Sequence, residues 1–144
     1  MSRLKNIIEL SCNEIGLLFF YGTASEVENE ILSYQKNNDV AFPCCTLFSK
    51  RNIDSGDFLD TYNDVKLLLL DNTSEKNTST ENDVIFASLK VLDKALFTKI
   101  ANSNYISGAH ESLIERAIDD DFIRVGPDLK CKREITVDLV ISKC

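Results

Sequence analysis

Histidine and cysteine are the side chains that most often carry nucleophilic and metal chemistry, and this sequence offers one of the first and five of the second. A catalytic nucleophile needs a base beside it. His110 is the single imidazole able to serve, and no Gly-x-Ser-x-Gly elbow accompanies it. It therefore reads as a surface or loop histidine. The cysteines are Cys12, Cys44, Cys45, Cys131 and Cys144, without the Cys-x2–4-Cys spacing that zinc favours. Cys44 and Cys45 are adjacent, so in a strand they point to opposite faces, one into the core and the other to the opposite surface. Cys131 and Cys144 read as incidental thiols flanking the last strand. The run Asp119-Asp120-Asp121 lacks the spaced ligands and glycine of a calcium loop and reads as a solvated bend. The basic cluster Lys130, Lys132, Arg133 reads as a solvated turn. Five glycines, at 16, 22, 56, 108 and 126, are scattered singly, and no Gly-Lys-Ser/Thr cradle for phosphate exists. No catalytic constellation, cofactor site or metal site emerges.

Composition narrows the classes further. A chain of 144 residues, 44% hydrophobic and 27% charged, fits a single domain spanning residues 1–144. At that size folding buries roughly 68–70% of the unfolded surface, so neither disulfides nor a metal is needed for stability. Twenty-three acidic against sixteen basic residues leave a net charge of -7, which repels phosphate backbones and disfavours nucleic-acid binding over the whole surface while leaving room for a local basic lining; no sequence-specific nucleic-acid binding is expected. The longest apolar runs, Leu17–Tyr21 and Leu67–Leu70, are too short to cross a bilayer. With an odd cysteine count and no leader pattern, the expectation is a soluble intracellular protein with reduced thiols.

The elements that must position these residues follow from periodicity. Leu4, Ile7, Ile8, Cys12 and Ile15 recur at helical spacing over Ser2–Glu14. Leu17–Tyr21 is an unbroken apolar run and predicts a strand buried on both faces, with continued helix as the alternative that periodicity leaves open. Ser25-Glu26-Val27-Glu28 predicts a capping box opening a helix to Lys36. Val40–Ser49 predicts a strand in which Pro43 removes a ladder donor, so it lies at an edge or pairs late, with Phe42, Pro43 and Cys45 as the candidate edge. Lys50–Asp60 reads as a loop or long hairpin turn, and Thr61–Asp71 as a central strand apolar on both faces. Asn72–Thr80 is polar throughout and reads as a mobile loop. The longest helix, about residues 81–101, is expected to be capped by Ser79 or Thr80 and to bury Ile85, Leu89, Leu92, Leu96 and Ile100. His110–Ile118 reads as helix or extended chain, Phe122–Val125 as a short strand before the Gly126-Pro127 turn. Ile135, Val137, Leu139 and Ile141 alternate with polar residues, the pattern of a half-buried strand. The sum is an α+β domain: a mostly antiparallel sheet flanked by two or three helices.

In this order the elements resemble the tail-terminator and neck-ring proteins of tailed bacteriophages. The residues carrying the likeness are Phe20-Tyr21-Gly22 leading into the Glu/Asn-rich helix Glu26–Ile31, Phe42-Pro43 opening the next strand, and Thr78-Ser79-Thr80 before the long helix. The resemblance implies a non-catalytic homo-oligomer, a hexameric or dodecameric ring at the head–tail junction of the virion. Its partners would be other neck, portal or tail proteins, with DNA passing through it and no membrane involved. Ring contacts are then expected from the two polar loops, at Arg51, Asp54, Asp57, Asp60, Asn72, Glu75 and Lys76, and from the edge marked by Pro43. The alternative is a small cytosolic protein-binding or regulatory module. A third reading is a minor enzyme using Cys45 or His110 with acidic partners.

Overall fold

The computed structural model describes residues 3–37, 41–48, 53–55, 59–103 and 113–142. The elements are α1 (Arg3–Glu14), β1 (Leu18–Gly22), α2 (Ala24–Lys36), β2 (Cys44–Phe48), β3 (Ile53–Ser55), β4 (Leu59–Asn72), α3 (Ser79–Ala101), β5 (Leu113–Val125) and β6 (Asp128–Ser142). The sheet runs β1-β2-β4-β6-β5, with β3 pairing the first residues of β4. Among the described residues only β1 and β2 pair in parallel, and the other pairs are antiparallel. This is the α+β architecture expected from the sequence.

The run Leu67–Leu70 explains the layering. Successive strand residues face opposite sides, and β4 is covered on both. Leu67 and Leu69 join α1 and α3 in one core with Ile8, Cys12, Leu89, Leu96 and Ile100. Leu68 and Leu70 join α2 in a second, with Phe20, Val27, Ile31 and Val125. The C-terminal strand supplies Ile135, Val137, Leu139 and Ile141 to the first core, as their alternation predicts.

Both capped helices start earlier than expected. The sequence Thr-Ala-Ser-Glu-Val-Glu holds two overlapping Thr/Ser-x-x-Glu motifs, and the first is used. Thr23 is extended, its Oγ1 accepts from the Glu26 amide, and its own amide donates to Glu26 Oε1. Ser25 lies inside the first turn. In α3 the cap is likewise Thr78, paired with Glu81, and not Ser79 or Thr80. A third exact need of the backbone falls at Gly126 in the β5–β6 turn. Its φ of +59 disfavours a side chain, and a Cβ there would stand 2.9 Å from Leu32 Cδ2.

Several expectations are corrected. β2 lies between β1 and β4, so Cys45 is in an interior strand and not at an edge. Pro43 precedes the ladder and costs it no donor, and Phe42 is buried in the second core. Because β2 is covered on both faces, Cys44 and Cys45 are both fully buried. β1, expected to be buried on both faces, is instead the edge strand next to β2 and is half-buried. Asp119–Asp121 continue β5 rather than forming a bend, and Lys130, Lys132 and Arg133 are residues of β6 rather than of a turn. The Asn72–Thr80 segment is tied down by Thr73 Oγ1 donating to Asn82 Oδ1 at 2.7 Å and by Asn77 Nδ2 donating to Thr73 Oγ1.

Candidate assembly interface

The sheet ends in two unlike strands. β1 closes one side with five residues, pairing parallel with β2. β5 closes the other with thirteen, pairing antiparallel with β6. Among the described residues no strand pairs with the outer side of either. α3 lies over β4 and β6, and its Phe86 meets Phe122 of β5 with ring centres 5.5 Å apart.

The side chains along this edge are exposed at residue 114 and from 116 to 122. Three of them are large and apolar: Ile114, Ile118 and Phe122 are 45%, 46% and 41% exposed. Register sets Ile118 opposite Ile135 and Phe122 opposite Cys131, on the face that carries α3, while Ile114 lies opposite Asp138 on the other face. Acidic residues alternate with them at Glu115, Asp119, Asp120 and Asp121. Long edges with apolar side chains are templates for pairing with another chain, and charges on the same strand are the usual restraint on indiscriminate pairing.

Two features hold the strand in place. Arg133 of β6 donates from NH1 to both carboxylate oxygens of Asp120, at 3.2 and 3.1 Å, and from Nε to Asp93 of α3 at 3.0 Å. At the other end β5 carries an extra residue, Arg116, between the pairs Glu115–Val137 and Ala117–Thr136. β4 is irregular at the same level, between Tyr62 and Val65. Asp138 joins the two irregularities: its Oδ1 accepts from the Asp64 amide at 2.9 Å and its Oδ2 from Arg116 NH1 at 3.2 Å. Bulges sharpen local twist, so this end of the sheet is bent by two strands at once.

The contact residues expected from the polar loops fall on two separate surfaces. Arg51 and Asp57 lie outside the described residues. Asp54 belongs to β3 and Asp60 to the start of β4. Asn72, Glu75 and Lys76 gather at the far end of β4, beside the β5–β6 turn. There Asn72 Oδ1 accepts from Lys130 Nζ at 2.6 Å, Glu75 pairs with Arg124, and the Lys76 amide donates to Ser74 Oγ. Twelve residues of strand separate Asp60 from Asn72, roughly 40 Å at 3.3 Å per residue. The two loops therefore do not form one patch.

Cys44 and Cys45, the latter the thiol of the third reading, lie in surroundings that raise their pKa values. Burial, with Asp71 adding to it, pushes the Cys44 thiol up to about 12. A hydrogen bond with Cys12, reinforced by burial, pushes Cys45 well above its ordinary value. Reactive cysteines are exposed and have lowered pKa values; these have the environment of structural thiols. His110 lies outside the described residues. Lys130 is held down by burial, with its ammonium 4.2 Å from the centre of the Phe42 ring.

The edge is the feature least legible in the sequence: Ile118 and Phe122 around an acidic run fit a strand with an exposed apolar pair as well as they fit a bend, and the extra residue Arg116 turns Ile114 to the other face. A scan against protein-family models gives no match for this chain, and a search of curated proteins gives none either. No helix among the described residues is long and apolar enough to cross a membrane.

Proposed function

We propose that this chain is a non-catalytic structural subunit that closes into a ring head to tail, at the head–tail junction of a tailed-phage virion. The observation that carries the reading is the β5 edge: thirteen residues long, exposed, and bearing Ile114, Ile118 and Phe122. Head-to-tail rings require one surface to meet a different surface on the next copy. An open sheet with a short parallel edge at β1 and a long antiparallel edge at β5 offers two such surfaces, and strand addition at an edge is an established way of joining chains. The likeness in element order to tail-terminator and neck-ring proteins supplies the virion setting, with portal, neck or tail proteins above and below and DNA passing through.

The same edge would also serve a regulatory module that captures a single partner. Light scattering coupled to size exclusion, over a concentration series, separates the two. A mass rising to six or twelve subunits is the expected result. A stable dimer with no larger species overturns the ring, because a closed two-fold contact consumes the surface that a ring needs.

A further inference from the structure

Strand direction and charge together limit what can sit on the outer side of β5. β1 and β2 run parallel, and each later neighbour in the order β1-β2-β4-β6-β5 is antiparallel, so β5 runs opposite to β1. In a head-to-tail ring every copy keeps the same sense. A β1 strand arriving from the next copy therefore meets β5 antiparallel, with hydrogen bonds perpendicular to the strands. The helix layers of the two copies stay on matching sides of the joined sheet.

Side chains of matching kinds then meet. On the face that carries α1 and α3, β1 presents the partly buried rings of Phe19 and Tyr21. The same face of β5 presents Ile118 and Phe122, together with Glu115 and Asp120. β1 carries no charge of its own. Lys5 of α1 lies against it, Nζ standing 5.5 Å from the centre of the Tyr21 ring and 3.9 Å from Glu9. Antiparallel order sets Phe19 toward Phe122, and Tyr21 with Lys5 toward the acidic Glu115 end. A second β5 is the worse occupant. Two-fold pairing over residues 118–122 would oppose the run Asp119-Asp120-Asp121 to itself, and like charges directly opposite are destabilising.

We infer, resting on the head-to-tail reading, that the occupant of the β5 edge is β1 of a second copy. It adds antiparallel along residues 118–122, with Phe19 and Tyr21 beside Ile118 and Phe122 and Lys5 facing the acidic end. The acidic run excludes β5 from pairing with itself and admits a strand that has no acids.

The test uses complementary variants of the full chain, followed by light scattering coupled to size exclusion. Ile118→Glu disables β5 and Tyr21→Glu disables β1; the shared sign keeps the two altered edges from attracting each other. Each variant alone should remain at subunit mass. An equal mixture should form a species of twice that mass and nothing larger, joined through its one intact β5 and one intact β1. A mixture without the doubled species overturns the assignment. Tyr21→Glu chains that close as the parent does overturn it too, and leave the ring standing. Tyr21→Glu chains that dimerise alone, or a parent chain that stays at subunit mass, overturn both. Circular dichroism checks that each variant is folded; if Tyr21→Glu is not, Lys5→Glu decides, since it touches neither strand. That change should weaken association about two- to fivefold, most at low salt, and unchanged association overturns the pairing.

Discussion

Arg133 Nε donates to Asp93 Oδ2 at 3.0 Å, and the two side chains are 7% and 4% exposed, so a full ion pair is sealed between α3 and the sheet. Asp93 stands in the same buried stripe as Leu89, Leu96 and Ile100. The guanidinium continues outward to Asp120, which is 37% exposed, and so links the core helix, β6 and the edge strand through one residue. A buried pair is weak evidence of net stabilisation, because desolvation offsets the attraction, but removing one partner strands the other charge. Arg133→Met takes the cation away from the buried Asp93 carboxylate and should therefore cost about 3–5 kcal/mol in urea unfolding. The double change Asp93→Leu, Arg133→Met should recover most of that loss. A single-variant cost below about 1 kcal/mol would show that the pair is not acting as a buried one.

Glu115 reports on the same cluster. Burial raises its pKa, the nearby Asp93 adds to the rise and Arg133 opposes it. A carboxyl whose folded pKa is raised binds its proton more tightly in the folded chain than in the unfolded one. Its contribution is fully present below the ordinary glutamate value, near 4.3, and is lost as pH climbs through the raised folded value. Glu115→Gln should remove that fall, leaving a flatter stability profile over the window just above the ordinary value. Urea midpoints measured at intervals of pH decide it; a profile identical to that of the parent chain rules out Glu115 as the source.

How far the sequence foretold this arrangement depends on whether local or distant partners decide it. The helices, the doubly covered run Leu67–Leu70 and the alternating strand Ile135–Ile141 are set by periodicity and form where it predicts, the two capped helices beginning a turn or less early. Placement of strands within the sheet is not local. Pro43 argued for an edge, yet the chain simply enters β2 after it and pairs on both sides. Lys130 and Arg133 looked like surface charge because their partners, Asn72 and Asp93, are 58 and 40 residues away. The exposed row on β5 was hidden for a similar reason: three consecutive aspartates suggest a bend until Arg133 is seen to claim the middle one.

The helix caps give a purely local test. Thr78 Oγ1 accepts from the Glu81 amide at 3.2 Å, while Ser79 is the first residue of α3. Thr78→Ala should cost about 1 kcal/mol, the usual loss for an N-cap. Ser79→Ala should be neutral within about 0.5 kcal/mol, as for an exposed site that makes no cap. Chemical denaturation of the two variants side by side discriminates between them, and a larger loss from Ser79→Ala would place the cap where the sequence alone had put it.

Assembly should depend on the edge and not on exposed apolar surface in general. Ile118 and Phe122 share one face of β5, 46% and 41% exposed, whereas Val91 is 67% exposed on the outer side of α3. Ile118→Lys places a charge among the atoms a paired strand would cover, and desolvating that charge opposes association. About half of Ile118 is buried within the subunit, and the lysine stem keeps part of that contact, so the unfolding free energy should fall by only about 1 kcal/mol. Light scattering should then find the Ile118→Lys chain at subunit mass across concentrations at which the parent chain associates. Val91→Lys, which deletes a more exposed side chain elsewhere, should leave association intact. If the Val91 variant dissociates and the Ile118 variant does not, the contact lies on α3, and β5 is an edge protected only by its own acidic residues.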